Sequence, residues 1–273
     1  MDKILLHEYR IPVKGVKRKT IYHFSDTHLA EYDSLSPEKE IEAAKKATDA
    51  WIRVRKAFAD GHGEPFGEAQ MLPAREHFVN LMNASRDGDV LVIAGDMLDF
   101  VNGANVRLAE KELKDYPCPV LALCGNHENA NNIPEGMTIS MMREPIQIAE
   151  LDDLIVLGLD DSKREITEKQ YSALEEALAS GKAVVVAMHI PIMTEENQPV
   201  LRGAGEYFRL NYNDCPEMNL RFIELIKANP DKIAAVLCGH LHFANDSHIT
   251  DGIMQYVSTQ GVTGNLNKYI IGE

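Results

Sequence analysis

Six short apolar runs punctuate the chain: Thr20–Ser25, Val90–Ala94, Val120–Cys124, Leu154–Leu159, Ala183–Met188 and Ile233–Cys238. Most are rich in Val, Ile and Leu, and none alternates cleanly with polar residues. That pattern predicts strands buried on both faces. Helical periodicity fills several of the gaps. Ile166–Ser180 opens with Thr167 and Gln170 in capping-box spacing, sets Tyr171, Leu174 and Leu178 on one face, and meets Gly181 as a stop. Pro216 to Ala228 repeats Leu220, Ile223 and Ile226 near helical spacing. Strand and helix in alternation predict an α/β chain.

Two stretches break the rhythm. Ser36 to about Asp60 is a charged, Ala-rich helix inserted after the first strand, followed by a loop at Gly61–Gly67 and a second helix near Arg75–Ser85. Thr194 to Cys215 is long and irregular, and connections of that length in compact domains are usually functional or disordered. No repeat, low-complexity tract or linker divides the chain, so residues 1–273 are expected to form one domain with a helical insertion at about 36–85.

Composition narrows the function classes. Hydrophobic residues make up 45% and charged residues 26%, enough apolar material for a sizeable core. No apolar stretch approaches the roughly 18 residues of a membrane span, and the N-terminal MDKILLHEYRIPVK is too short and too early charged for a secretory signal. The cytoplasm is the expected location. The four cysteines, Cys118, Cys124, Cys215 and Cys238, form no CxxC pair and read as reduced thiols. A net charge of −14 argues against gripping a phosphate backbone, which needs clustered Lys and Arg. It leaves room for a small phosphorylated substrate, because bound metal ions reverse the charge locally.

The chemistry lies in the polar residues that follow the strands. The first run leads into Ser25-Asp26-Thr27-His28, the second into Gly95-Asp96-Met97-Leu98-Asp99 and the third into Gly125-Asn126-His127-Glu128. The fifth leads into His189-Ile190-Pro191 and the sixth into Gly239-His240-Leu241-His242. Each cluster alone has an ordinary reading as a turn or a structural histidine. Five of them at strand ends point to one convergent site, since ligands collect at the carboxyl ends of strands in open α/β sheets.

In this order, DxH, GDxxD, GNHE, HxP and GHxH, the motifs resemble those of the calcineurin-like metallophosphoesterases, with a pattern closest to the bacterial cyclic-nucleotide phosphodiesterase branch. The resemblance runs from about Tyr22 to His242 and every motif is complete. It implies a β-sandwich of two mixed sheets flanked by helices, with a metal site at the strand C-terminal ends. It also implies roles: Asp26, His28 and His242 on one metal, Asn126, His189 and His240 on the other, and Asp96 bridging them.

The implied reaction is hydrolysis of a phosphomonoester or phosphodiester by a hydroxide bridging two metals roughly 3.5–4 Å apart. Only Asp26 and Asp96 among these ligands are anionic, so two divalent ions keep surplus positive charge for the transition state. Mn, Fe, Zn, Co or Ni would suit the ligand set. His127 is implied as the general acid, with Asp99 orienting it. Asp99 stands where purple acid phosphatases carry a metal-binding tyrosine, so an Fe–tyrosinate site is not expected. Glu128 is read as structural.

Other residues receive plainer readings. His7, His23, His62, His77 and His248 match no motif; Trp51, Val54 and Phe58 form a helical stripe read as a packing face. Lys14, Lys17, Arg18 and Lys19 sit in an expected hairpin turn, His7 in an N-terminal strand. Arg202, Tyr207, Arg209 and Tyr212 are candidates for substrate contact, and the 36–60 helix is either a cap over the site or surface decoration. The competing functions are a nuclease of the same fold, disfavoured by the acidic charge, and a non-catalytic interaction module, disfavoured by intact ligand positions.

Overall fold

The computed structural model describes residues 4–273. Its strands are β1 (Leu5–Ile11), β2 (Lys19–Phe24), β3 (Val90–Ala94), β4 (Val120–Leu123), β5 (Ile146–Glu150), β6 (Leu154–Leu159), β7 (Ala183–Ala187), β8 (Ile233–Cys238), β9 (Ser247–Thr250), β10 (Ile253–Val257) and β11 (Asn265–Ile271). The helices are α1 (Glu38–His62), α2 (Ala74–Ala84), α3 (Gly103–Leu113), α4 (Glu168–Ala179), α5 (Gln198–Ala204) and α6 (Glu217–Lys227). The strands form two mixed sheets, ordered β1-β11-β2-β3-β4 and β5-β6-β7-β8-β10-β9. All six apolar runs are strands, and the α/β sandwich flanked by helices is the fold expected.

The side-chain alternation explains why those runs read as continuously apolar. In β3, Val90, Val92 and Ala94 face the second sheet, while Leu91 and Ile93 face outward among Phe78, Leu81 and Met82 of α2 and Val106 of α3. In β7, Val185 and Ala187 point inward, and Val184 and Val186 point outward toward Leu174 of α4 and Phe222 of α6. A layered order of helix, sheet, sheet, helix thus gives each central strand two apolar faces.

The strands outside the six apolar runs explain what the pattern missed. β11 carries Asn265, Asn267 and Lys268, yet it lies between β1 and β2. Its buried amides are satisfied locally: Asn265 Oδ1 lies 2.9 Å from His7 Nε2, and Asn267 Nδ2 donates to the Tyr269 hydroxyl at 3.0 Å. Because β11 separates them, β1 and β2 are not a hairpin. β1 instead runs parallel to β11, and the turn expected at Lys14–Lys19 forms at Lys14-Gly15, with Val16 N donating to Val13 O at 3.2 Å, but leads to a β2 that pairs with β11. In β5, Gln147 bonds the Ala122 N–H and C=O at 2.9 and 2.7 Å, closing the edge of β4 with a side chain.

The helices follow their sequence signals. The Thr167–Gln170 capping box forms, with Gln170 N donating to Thr167 Oγ1 at 3.3 Å and Thr167 N to Gln170 Oε1 at 2.8 Å. α1 runs two residues past its expected end and stops where Gly63 takes φ 67, a left-handed C-terminal position that favours glycine. It is held down by Arg55, only 2% exposed, whose Nη1 donates to Gln70 O, Leu72 O and Val262 O at 3.3, 2.7 and 3.2 Å. The 194–215 stretch contains α5 and a single 3-10 turn at Glu206–Phe208. No helix among the described residues is long and apolar enough to cross a membrane.

Thr167→Ala removes the cap and should lower unfolding stability by about 1 kcal/mol in urea titration, without altering metal content.

Candidate metal centre

Parallel pairing of β2 with β3 and of β3 with β4 brings their carboxyl ends to one edge of the first sheet. Parallel pairing of β7 with β8 does the same in the second. The first edge presents Asp26, His28, Asp96 and Asn126; the second presents His189, His240 and His242. Hydrogen bonds stitch the two edges together. His189 Nδ1 lies 2.7 Å from Ala94 O, and the His240 N–H donates to Asp26 Oδ2 at 3.0 Å. The site therefore sits on the seam between the sheets.

All seven expected metal-site residues converge there, in two groups. His242 Nε2 is 3.2 Å from Asp26 Oδ1 and 3.2 Å from His28 Nε2. His189 Nε2 is 3.4 Å from Asp96 Oδ2 and 3.2 Å from Asn126 Oδ1. Asp96 Oδ2 also lies 3.9 Å from His28 Nε2, so one carboxylate belongs to both groups. Asp26, His28, Asp96 and His242 form one cluster with metal-ligand spacing, and Asp96, His189 and His240 the other.

The free atoms point inward. Among the described residues, buried Asp26 Oδ1 has no hydrogen-bond partner. Around it the imidazole nitrogens of His28 and His242 face each other, an arrangement a cation relieves. On the outer side, His240 Nε2 is held 3.2 Å from Tyr207 O, and His28 Nδ1 stands 3.3 Å from Asp99 Oδ1. A fixed outer nitrogen orients the ring and leaves the other nitrogen as a ligand. Burial and donor set fit a pair of metal ions.

The charges agree. Burial alone would raise Asp26 and Asp96, but His242 beside Asp26 and His189 beside Asp96 hold both carboxyls well below the usual range. Burial alone would lower His189, yet the Asp96 carboxylate outweighs it and raises that imidazole to about 10. Burial and the neighbouring His189 push His240 down to about 3. Carboxylates and imidazoles thus favour one another's charged forms across the centre.

Backbone strain marks the same residues. Asp26, His28, Asp96, His240 and His242 have φ of 55, 43, 50, 72 and 65, a region uncommon for residues other than glycine. Such conformations persist where surrounding structure over-determines them, and they cluster at functional sites. Gly95, at φ 87, leaves the space that His189 fills: an added Cβ would stand 2.5 Å from His189 Nδ1.

Asp99 and His127 stand at the rim. His127 Nδ1 lies 3.1 Å from Asp99 Oδ1, and its side chain keeps 35% exposure. Burial would lower His127, but Asp99 and Asp96 outweigh it and raise it to about 9. Of the other candidates on the 194–215 loop, Arg209 is buried against Glu206, Tyr212 lies beneath Arg164, and Arg202 is exposed on α5. Tyr207 reaches the site through its carbonyl and through its ring, 5.3 Å from the His240 ring.

Three supporting residues lay outside the expected set. Glu128, read from sequence only as structural, accepts from Asp96 N, Leu98 N and Gly125 N at 3.1, 2.7 and 2.8 Å, tying two motif loops together. Burial beside Asp96 raises its carboxyl to about 8 against those donors. Asp161 accepts from His189 N and Ile190 N at 2.8 and 2.9 Å, and burial raises it to about 7. Asp160-Asp161 follows the fourth apolar run, so a strand-end signal was there. Trp51, read as packing, stacks on His28 with ring centroids 3.8 Å apart.

The sequence profile described as calcineurin-like phosphoesterase matches residues 19–244, most of the chain. The chain belongs to this family. It is 27% identical over 164 residues to a probable cyclic nucleotide phosphodiesterase of Synechococcus sp., a match spanning 58% of this chain and 60% of that relative. Two solved structures share the fold. A dimetal phosphatase of Danio rerio superposes with TM-score 0.51 at 11% identity, over 90% of this chain and 88% of that one. A purple acid phosphatase of yellow lupin superposes with TM-score 0.51 at 15% identity, over 91% of this chain and 44% of that one.

Glu128→Gln leaves one of three N–H donors facing an amide NH2. It should lower unfolding stability by about 1–3 kcal/mol in denaturant titration and reduce metal retained after dialysis.

Proposed function

We propose that this phosphoesterase hydrolyses a small phosphomonoester or phosphodiester at a centre of two metal ions. Asp26, His28 and His242 would hold one ion, Asn126, His189 and His240 the other, and the Asp96 carboxylate would serve both. The observation carrying this reading is the place of Asp96 Oδ2, within 3.9 Å of His28 Nε2 and 3.4 Å of His189 Nε2. When bound, two such ions supply an activated water and clamp the phosphoryl oxygens.

The chain's own groups supply the rest. His127, exposed at the rim, donates a proton to the departing alkoxide or a hydrogen bond to a phosphoryl oxygen. Asp99 fixes that ring through its backbone carbonyl, 3.1 Å from Nδ1, with its carboxylate Oδ1 equally near, so that Nε2 stays free to act. Neutral imidazole and amide ligands keep the centre attractive to phosphate inside a chain of net charge −14. The name of the Synechococcus relative makes a cyclic nucleotide the first natural substrate to test.

Chelator-stripped protein should hydrolyse p-nitrophenyl phosphate or bis-p-nitrophenyl phosphate only after Mn²⁺ is restored, and the preferred ester separates monoesterase from diesterase. No turnover of either ester by fully metal-loaded protein contradicts the reading. Asp96→Asn should lower both kcat/KM and bound metal, the former by at least about 100-fold. His127→Ala should keep metal but slow esters of poor leaving groups by about 100-fold or more, with a smaller loss for p-nitrophenyl esters. Equal losses for both contradict the proton-donor role.

A further inference from the structure

α1 lies outside every motif, yet its inner face is built into the metal centre. Trp51 and Phe58, two helical turns apart, both face the imidazoles: Phe58 and His242 ring centroids lie 5.0 Å apart, and Trp51 and His242 5.2 Å. Between them, Arg55 fastens the helix to three carbonyls, including Val262 O beyond β10. Gln260 Nε2 returns a bond to Arg55 O at 3.2 Å. The helix cannot slide without breaking these buried contacts.

The decisive contact is polar. The Trp51 indole N–H donates to Asp99 Oδ1 at 2.9 Å. The same oxygen lies 3.1 Å from His127 Nδ1 and 3.3 Å from His28 Nδ1. The Asp99 carboxylate therefore stands against a rim imidazole and a buried imidazole at once, its backbone carbonyl also lies 3.1 Å from His127 Nδ1, and the indole fixes where the carboxylate stands. The indole ring also covers the His28 face, with planes inclined by 27°. An indole has one donor and no acceptor, so its N–H has no competing use.

We infer that Trp51 is a positioning residue of this site: its N–H fixes Asp99, and through it His127 and His28, while its ring buttresses His28. The inference rests on the phosphoesterase reading. It gives the 36–60 insertion a part in catalysis, and the helix behaves as a fixed wall of the site.

Two substitutions separate the two contacts. Trp51→Phe keeps an aromatic face and deletes the N–H; Trp51→Leu deletes both. With metal-loaded protein, Trp51→Phe should lower kcat for a poor-leaving-group ester by about tenfold, leave KM unchanged, and affect p-nitrophenyl esters less. In an Asp99→Ala background the same change should have no further effect, because both act on one link. Trp51→Leu should in addition weaken retention of one metal ion by about tenfold. An unchanged kcat for Trp51→Phe, or an undiminished loss in the Asp99→Ala background, overturns the inference while leaving wild-type hydrolysis intact.

A readout independent of activity is available because Trp51 is the single tryptophan. Titrating metal-free protein with Zn²⁺ should change its fluorescence saturably, in step with metal bound. Emission unchanged at full loading also overturns the inference.

Discussion

Two carboxylates, Asp26 and Asp96, lie buried next to each other where the sheets meet, and buried charge of one sign must be answered. His242 and His189 stand beside them, and His28 and His240 complete two donor sets, drawn from both sheets, that cations can join. Their geometry requires the β2, β3 and β4 ends to stand beside those of β7 and β8, so the sandwich is also the frame of the site. The left-handed backbone at five of these residues is the cost of aiming them inward. Glu128 and Asp161 hold that backbone by accepting five N–H groups from the loops.

Much of this was legible in the chain. The central strands announced themselves because two apolar faces leave no polar gaps, and the residues after them carried the chemistry in order. β11 escaped because Asn265 and Asn267 look like turn residues until His7 and Tyr269 are seen to satisfy them. The hairpin expected after β1 failed for the same reason: the strand that intervenes comes from the far end of the sequence. Tyr207 was legible only as a candidate for substrate contact, because its bond to His240 comes from a backbone carbonyl, which residue type does not reveal.

The insertion shows a subtler limit. A stripe of Trp51, Val54 and Phe58 has the spacing of any packing face, and packing is indeed what Trp51 and Phe58 do. What periodicity cannot tell is that the surface beneath is made of metal-site histidines rather than leucines. The indole bond to Asp99 then turns a packing residue into part of a network running from α1 to both sides of the rim. A helix that looked detachable is thereby coupled to the oldest-looking motifs in the chain.

The central claim is that one carboxylate, Asp96, joins two ion sites. Electron paramagnetic resonance of protein reconstituted with Mn²⁺ tests it most directly. The account predicts two Mn²⁺ per chain with the multiline spectrum of an exchange-coupled pair, and loss of that coupling in Asp96→Asn. Spectra of isolated ions at full loading, or a single ion per chain, would contradict it.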